Sequence, residues 1–237
     1  MKKILALVLA LAMLLCVAVA EESTATAFDA YTAAELDSEV TVTAYIQGTA
    51  YNPTYGNICL YLADEDGAYY VYRAACDDAL AEQLYEGVLV TVKGFKSAWA
   101  GEVEIVDATI EVVDTDELVT FEAIDITELM DAEDLDILMN SLVAIYGAEV
   151  VAYNEAGDAF SYGWDGSGAA GMNSDLYFTL KVGENTYTMT VESDEMAEGS
   201  DAYELVTQFT VGQIVDLEGF LYWYNGAQIH VNKILVG

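Results

Sequence analysis

Flat aromatic rings set close to carboxylates are the main chemical resource of this chain, which carries 17 tyrosines, 7 phenylalanines and 3 tryptophans beside 41 acidic residues. They cluster in segments rich in glycine, asparagine and serine. Tyr51, Tyr55 and Trp99 fall in the first half, and Tyr162, Trp164, Trp223 and Tyr224 in the second, with Tyr153 and Phe160 nearby. A ring face flanked by carboxylates stacks against a sugar or clamps a peptide side chain. The same rings can instead cap a hydrophobic core or pack between domains, because large aromatics are mostly buried in folded proteins. Both readings stand at this level.

The inventory for catalysis is thin. His230 is the single histidine, and no nucleophile motif lies near it. Zinc would need several His or Cys ligands. Asp64-Glu65-Asp66-Gly67 resembles the start of a calcium loop, but the next oxygen-bearing positions, 68 and 75, are both alanine, so an acidic β-turn is expected. No catalytic residue, metal or cofactor is assigned. Gln228, His230 and Asn232 alternate along one strand, which predicts an exposed polar face. A two-residue turn at Asn225-Gly226 would set His230 opposite Leu221. Cys59 and Cys76 are expected to be free thiols, because a hairpin turning at 64–67 puts Cys59 across from residue 72 or 73, too far from Cys76 for a bridge unless the chain curls back.

Charge bears on partners. Seven Lys and Arg against 41 Asp and Glu give a formal net charge of −34. Nucleic acid is not expected as a ligand, since phosphate contacts need cations and Arg73, Lys93, Lys96, Lys181 and Lys233 are scattered. Composition is 54% hydrophobic, enough to fold despite the charge. Oligomeric state is open.

Lys2 and Lys3, an apolar run from Ile4 to Val17, and Ala18-Val19-Ala20 read as an export signal over residues 1–20. A released, secreted protein without membrane insertion is expected. The minor alternative is lipid anchoring at Cys16, disfavoured by Leu15 before it.

The elements that must position the rings are mostly strands. Val40, Val42, Ala44 and Ile46 alternate with polar residues, and two more strands flank the 64–67 turn. A short helix capped by Asp77 or Asp78 ends at Gly87, and a closing hairpin follows. The order repeats in the second half, where Asp201 with Glu204 reads as a capping box. Gly87-Val88-Leu89-Val90-Thr91-Val92-Lys93-Gly94-Phe95, with Gly101 in a turn, returns as Gly212-Gln213-Ile214-Val215-Asp216-Leu217-Glu218-Gly219-Phe220, with Gly226 in a turn. A period this long signals duplicated domains.

This order and motif resemble the OB-fold, a five-stranded Greek-key barrel with a helix between strands three and four. Asp64-Glu65-Asp66-Gly67-Ala68-Tyr69 and Gly219-Phe220-Leu221-Tyr222-Trp223-Tyr224-Asn225-Gly226 are similar to segments of exported tandem OB-like proteins of gut-dwelling Firmicutes, a resemblance that implies fold and export alone. The expected fold is mainly β: two tandem OB-fold-like barrels, each with one helix between strands three and four. The expected divisions are a signal peptide over 1–20, a flexible segment over 21–37, a barrel over 38–114, an acidic linker with a helix near 131–139 over 115–140, and a second barrel over 141–237. The expected function is an exported non-catalytic binder of a carbohydrate or extended peptide. A scaffolding module for protein partners is the alternative, and an unrecognised hydrolase the third reading.

Overall fold

The computed structural model describes residues 27–196 and 199–235; the expected export signal and Cys16 lie outside the described residues. In the first half, β1 (Glu39–Asn52), β2 (Asn57–Ala63), β3 (Ala68–Ala75), β4 (Leu89–Trp99) and β5 (Glu102–Val112) close a barrel in the order β1-β2-β3-β5-β4. The β3–β5 pairing is parallel and the other neighbours run antiparallel. Alternation in β1 puts Val42, Ala44 and Ile46 inside, together with Leu60, Leu62, Val71, Val90, Val92 and Ile105.

The second half builds an OB-like sheet from β7 (Leu142–Val151), β9 (Leu176–Val182), β10 (Asn185–Val191), β11 (Ile214–Trp223) and β12 (Ala227–Leu235), with short β6 (Ile124–Asp125) and β8 (Phe160–Tyr162) at its margins. A further β7–β9 pairing gives these five strands the same neighbours as the first barrel, including a parallel β10–β12 contact. The mainly β tandem OB architecture is thus present.

The repeated glycines do the same physical work twice. Gly87 and Gly212 both have φ +88, a left-handed backbone reached at low steric cost. They do not end the helices, which stop at Ala81 and Val206, but sit in the turns closed by Val88 N–H to Tyr85 O and Gln213 N–H to Thr210 O that lead into the next strand. Gly94 and Gly219 each lie where a Cβ would press on the backbone of the partner strand, at Val106 and His230 respectively. Both also sit beside register shifts that bend the closing hairpin.

Local expectations hold in several places. Asp77 caps helix α2 (Asp78–Ala81), its Oδ1 accepting from Leu80 N–H at 2.9 Å. Asp64 Oδ1 accepts from Asp66 and Gly67 N–H, both at 2.9 Å, so the acidic segment is a side-chain-closed turn. Cys59 and Cys76 are free and buried; Cys59 Sγ takes the N–H of Arg73 across the hairpin at 3.4 Å.

Others need correction. Residues 27–33, expected to be loose, form helix α1 (Ala27–Ala33). Tyr31 is buried edge-on against Tyr69, and Lys96 Nζ donates to the carbonyls of Tyr31, Thr32 and Ala34, satisfying the orphan acceptors of the helix end. The linker helix expected near 131–139 is a 3-10 turn, Leu135–Leu138, preceded by Asp131, whose carboxylate is held by Asn185 and Tyr187 on β10. Helix α3 (Asp201–Val206) is capped by Ser200, one residue before the expected Asp201, through Tyr203 N–H. Finally, Trp223 pairs with Ala227, so the last hairpin has a three-residue loop and His230 faces Phe220 rather than Leu221. That loop is drawn toward the first barrel, where Asn225 N–H donates to Ala100 O at 2.6 Å.

Candidate functional site

Two continuous apolar stretches prepare the site. β2 is buried from Ile58 to Leu62 and β3 from Ala68 to Val71, without the in–out alternation of a strand with one wet face. Their inward residues fill the first barrel. Their outward residues, Cys59, Tyr61 and Tyr70, meet Phe220 of β11 in a separate buried cluster with Ala50. Phe220 stacks on Tyr61 at 3.9 Å between centroids, planes 6° apart, and its ring tip presses on Gly48, where a Cβ would lie 2.8 Å from Cε2 and closer still to Cζ. Gln47 adds polar register: Nε2 donates to Leu62 O and Asn140 O at 3.0 and 3.1 Å, and Oε1 accepts from Leu142 N–H at 3.0 Å. The two halves are joined by a core.

Beside this junction lies a groove of about 1040 Å³, lined from both halves. From the first come Tyr70, Tyr72 and Arg73 of β3, Trp99 at the end of β4, and Glu104 of β5. From the second come Tyr177, Tyr222, Tyr224 and the segment after β10 that carries Glu192, Asp194 and Glu195. The tips of Trp99 and Trp164 stand open, 63% and 74% exposed. Arg73 and Asp194 tie the two sides at 2.6 Å.

The floor is a polar network around His230, which is 5% exposed. Its ring stacks on Tyr222 at 4.1 Å. The Tyr61 hydroxyl donates to Glu195 Oε1 at 3.0 Å, and His230 Nδ1 lies 2.9 Å from that hydroxyl and 3.2 Å from the same carboxylate. With the one hydroxyl proton used, Nδ1–H must be a donor to both oxygens. Nε2 has no hydrogen-bond partner among the described residues, with Glu192 Oε1 at 3.8 Å. Desolvation pulls the imidazole down, yet Glu195 and then Glu192 outweigh it and hold His230 above its usual value. Burial pushes the Glu192 and Glu102 carboxyls up to about 7 each. Glu102 is fully buried at the junction: Oε2 accepts from Trp223 N–H at 2.8 Å while Oε1 has no partner among the described residues.

The expectation of a solvated polar face at His230 is therefore wrong. Docking of Phe220 and Tyr222 onto the first barrel covers that end of β12, which a strand pattern cannot reveal.

Of the seven expected aromatic positions, Trp99, Trp164 and Tyr224 come together along the groove. Trp223 is half-buried against the second core, its ring over Gly101. Tyr162 packs on the same core, edge-on to Phe160 at 5.4 Å. Tyr51 donates to Asp78 Oδ1 at 2.6 Å in a separate, shallower hollow, and Tyr55 is exposed on the β1–β2 loop. Residues absent from the expectation are Tyr70, Tyr72, Tyr177, Tyr222 and the Glu192–Glu195 segment, while His230, expected on a solvated face, joins them in the groove. The unbroken apolar run of β2 was a legible sign that something covers its outer face.

No protein-family model and no curated protein matches the sequence. Among solved structures, the chain is similar to the Ifi202 HINa domain in complex with 20-bp double-stranded DNA, at 14% identity and TM-score 0.36, over 77% of this chain and 86% of that one. It is similar to a murine DNA-binding protein bound with double-stranded DNA, at 9% identity and TM-score 0.36, over 83% and 99%. It is also similar to a replication protein A heterotrimer bound to single-stranded DNA, at 22% identity and TM-score 0.29, over 35% of this chain; there the match spans 62% of the other chain's length.

Proposed function

We propose that this is an exported, non-catalytic binding protein that holds a carbohydrate or an extended peptide in the groove between two OB-like barrels. The barrels would span 38–114 and 141–237, joined by the acidic segment 115–140. One observation carries the reading: an open groove of about 1040 Å³ receives aromatic faces from both halves, with Trp99 and Trp164 left exposed at its sides. A concave site with aromatic walls and a few convergent polar groups is the usual form of a ligand site. A scaffold that buried these rings in its own core would leave no such groove.

The groove's charge opposes phosphate: Glu104, Glu192 and Glu195 face it, and Arg73 is already paired with Asp194. Because DNA-bound proteins are among the similar structures, single- and double-stranded DNA belong in the same binding screen. The test is a glycan, peptide and DNA array followed by titration of intrinsic tryptophan fluorescence. A ligand of the groove should perturb that fluorescence, and changing Trp99 or Trp164 to Ala should weaken its binding by roughly fivefold or more, the loss of about 1 kcal/mol of ring contact. A ligand that binds both variants as well as the parent would defeat the proposal.

A further inference from the structure

We propose that the ligand of this groove is an organic cation, a primary ammonium seated between His230 Nε2 and Glu192 Oε1 with its alkyl stem running between aromatic faces. This rests on the groove being the binding site and names the chemistry it selects.

Three independent features converge. His230 is almost wholly buried among the residues that line the groove, and its Nε2 has no hydrogen-bond partner among the described residues. Because Nδ1–H is committed to Tyr61 and Glu195, the neutral ring offers Nε2 as a lone-pair acceptor. Glu192 Oε1 stands 3.8 Å away, a gap that one N–H donor group spans with hydrogen bonds of about 2.9 Å to each atom. An ammonium satisfies both with separate protons and retains a third.

The second feature is uncompensated charge. Among the described lining residues Arg73 is the only arginine or lysine, and Asp194 engages it at 2.6 Å. Glu104, Glu192 and Glu195 then share one histidine. Burial pushes Glu192 up to about 7 even with His230 beside it, the response of a desolvated carboxyl crowded by other acids.

The third is the walls. Tryptophan and tyrosine faces attract ammonium groups through the ring quadrupole, and Trp99, Trp164 and Tyr177 line the groove. The chain's net charge of −34 draws cations toward it from a distance. A neutral sugar would use the rings and leave the charge unanswered. The ammonium can come from a lysine side chain of a peptide or from a free polyamine.

The experiment titrates the full chain at about pH 9, because the carboxylates hold His230 above its usual value and a neutral ring needs a pH well above the ordinary histidine range, with spermidine, a lysine-bearing peptide, the same peptide acetylated on every lysine, and a neutral oligosaccharide. Tryptophan fluorescence and calorimetry are the readouts. At least one amine should bind with one-to-one stoichiometry; binding of the peptide alone or of spermidine as well identifies the source. Acetylation should abolish peptide binding. Glu192→Gln should weaken amine binding roughly tenfold by removing a charge-assisted bond, and Trp164→Ala roughly fivefold. Glu133→Gln, an equal charge change at an exposed site outside the groove lining, should leave it unchanged. Equal weakening by Glu133→Gln and Glu192→Gln would reduce the effect to diffuse attraction and overturn the inference. An oligosaccharide that binds in a Trp164-dependent way while the amines do not would overturn the ammonium and preserve the groove. If no probe responds to Trp99→Ala or Trp164→Ala, both fail.

Discussion

Gly48 and Phe220 make the joining of the two halves measurable. Gly48 lies in β1 with no unusual φ, so in isolation an alanine there should be neutral or favourable by up to about 1 kcal/mol, through reduced backbone entropy in the unfolded chain. In this protein the added Cβ would stand 2.8 Å from Phe220 Cε2 and closer to Cζ. The ring has little room to move aside, being 4% exposed and stacked on Tyr61 at 3.9 Å. Gly48→Ala should therefore destabilise by about 1–3 kcal/mol, the usual cost of overpacking. Phe220→Ala should cost about 3–5 kcal/mol through lost burial and the cavity left behind. With the ring gone the obstruction is gone, so Gly48→Ala introduced into Phe220→Ala should be neutral or slightly stabilising. The sign of one substitution thus depends on a residue far along the chain, with a coupling of about 1–4 kcal/mol. Urea unfolding of the four proteins, read by circular dichroism and tryptophan fluorescence, gives every term. Additive effects, or a Gly48→Ala protein as stable as the parent, would refute the docking of the second barrel on β1.

Glu102→Gln should raise stability at pH 8 by roughly 2–4 kcal/mol while changing it little at pH 4, because the folded carboxyl holds its proton up to about 7 and the unfolded one releases it near 4.5. The folded state binds more protons across that window, so the parent loses stability as pH rises from about 4.5 through 7, and urea midpoints against pH should flatten in the variant. The duplicated glycines offer an internal control. Gly212→Ala faces open space and should cost about 1–2 kcal/mol for its positive φ alone. Gly87→Ala meets the same φ and also the Val119 carbonyl, so its thermal midpoint should fall measurably further.

How much of this was readable before folding differs by level. Strand alternation in β1, the capping aspartate of α2 and the self-closed turn at Asp64 are local, set by side chains a few residues apart, and each appears where the pattern indicates. The N-terminal helix was missed because its stabilising partners, Tyr69 and Lys96, lie far along the chain. The three-residue loop was missed for a similar reason: Asn225-Gly226 favours a tight two-residue turn in isolation, but Tyr224 and Asn225 bond to Gly101 and Ala100 across the junction. That one-residue shift changes which face of β12 carries His230.

From its residues alone the chain specified twice the order of strands, helix and closing hairpin, because left-handed glycines, period-two burial and helix caps act over short distances. It also specified the acidity and the stock of aromatic rings. Which rings would meet was decided only when the second barrel set Phe220 on Tyr61, since contacts between segments more than a hundred residues apart leave no periodic trace. The buried histidine, the buried carboxyl of Glu102 and the groove beside them are products of that docking, assembled from residues that are unremarkable in each half alone.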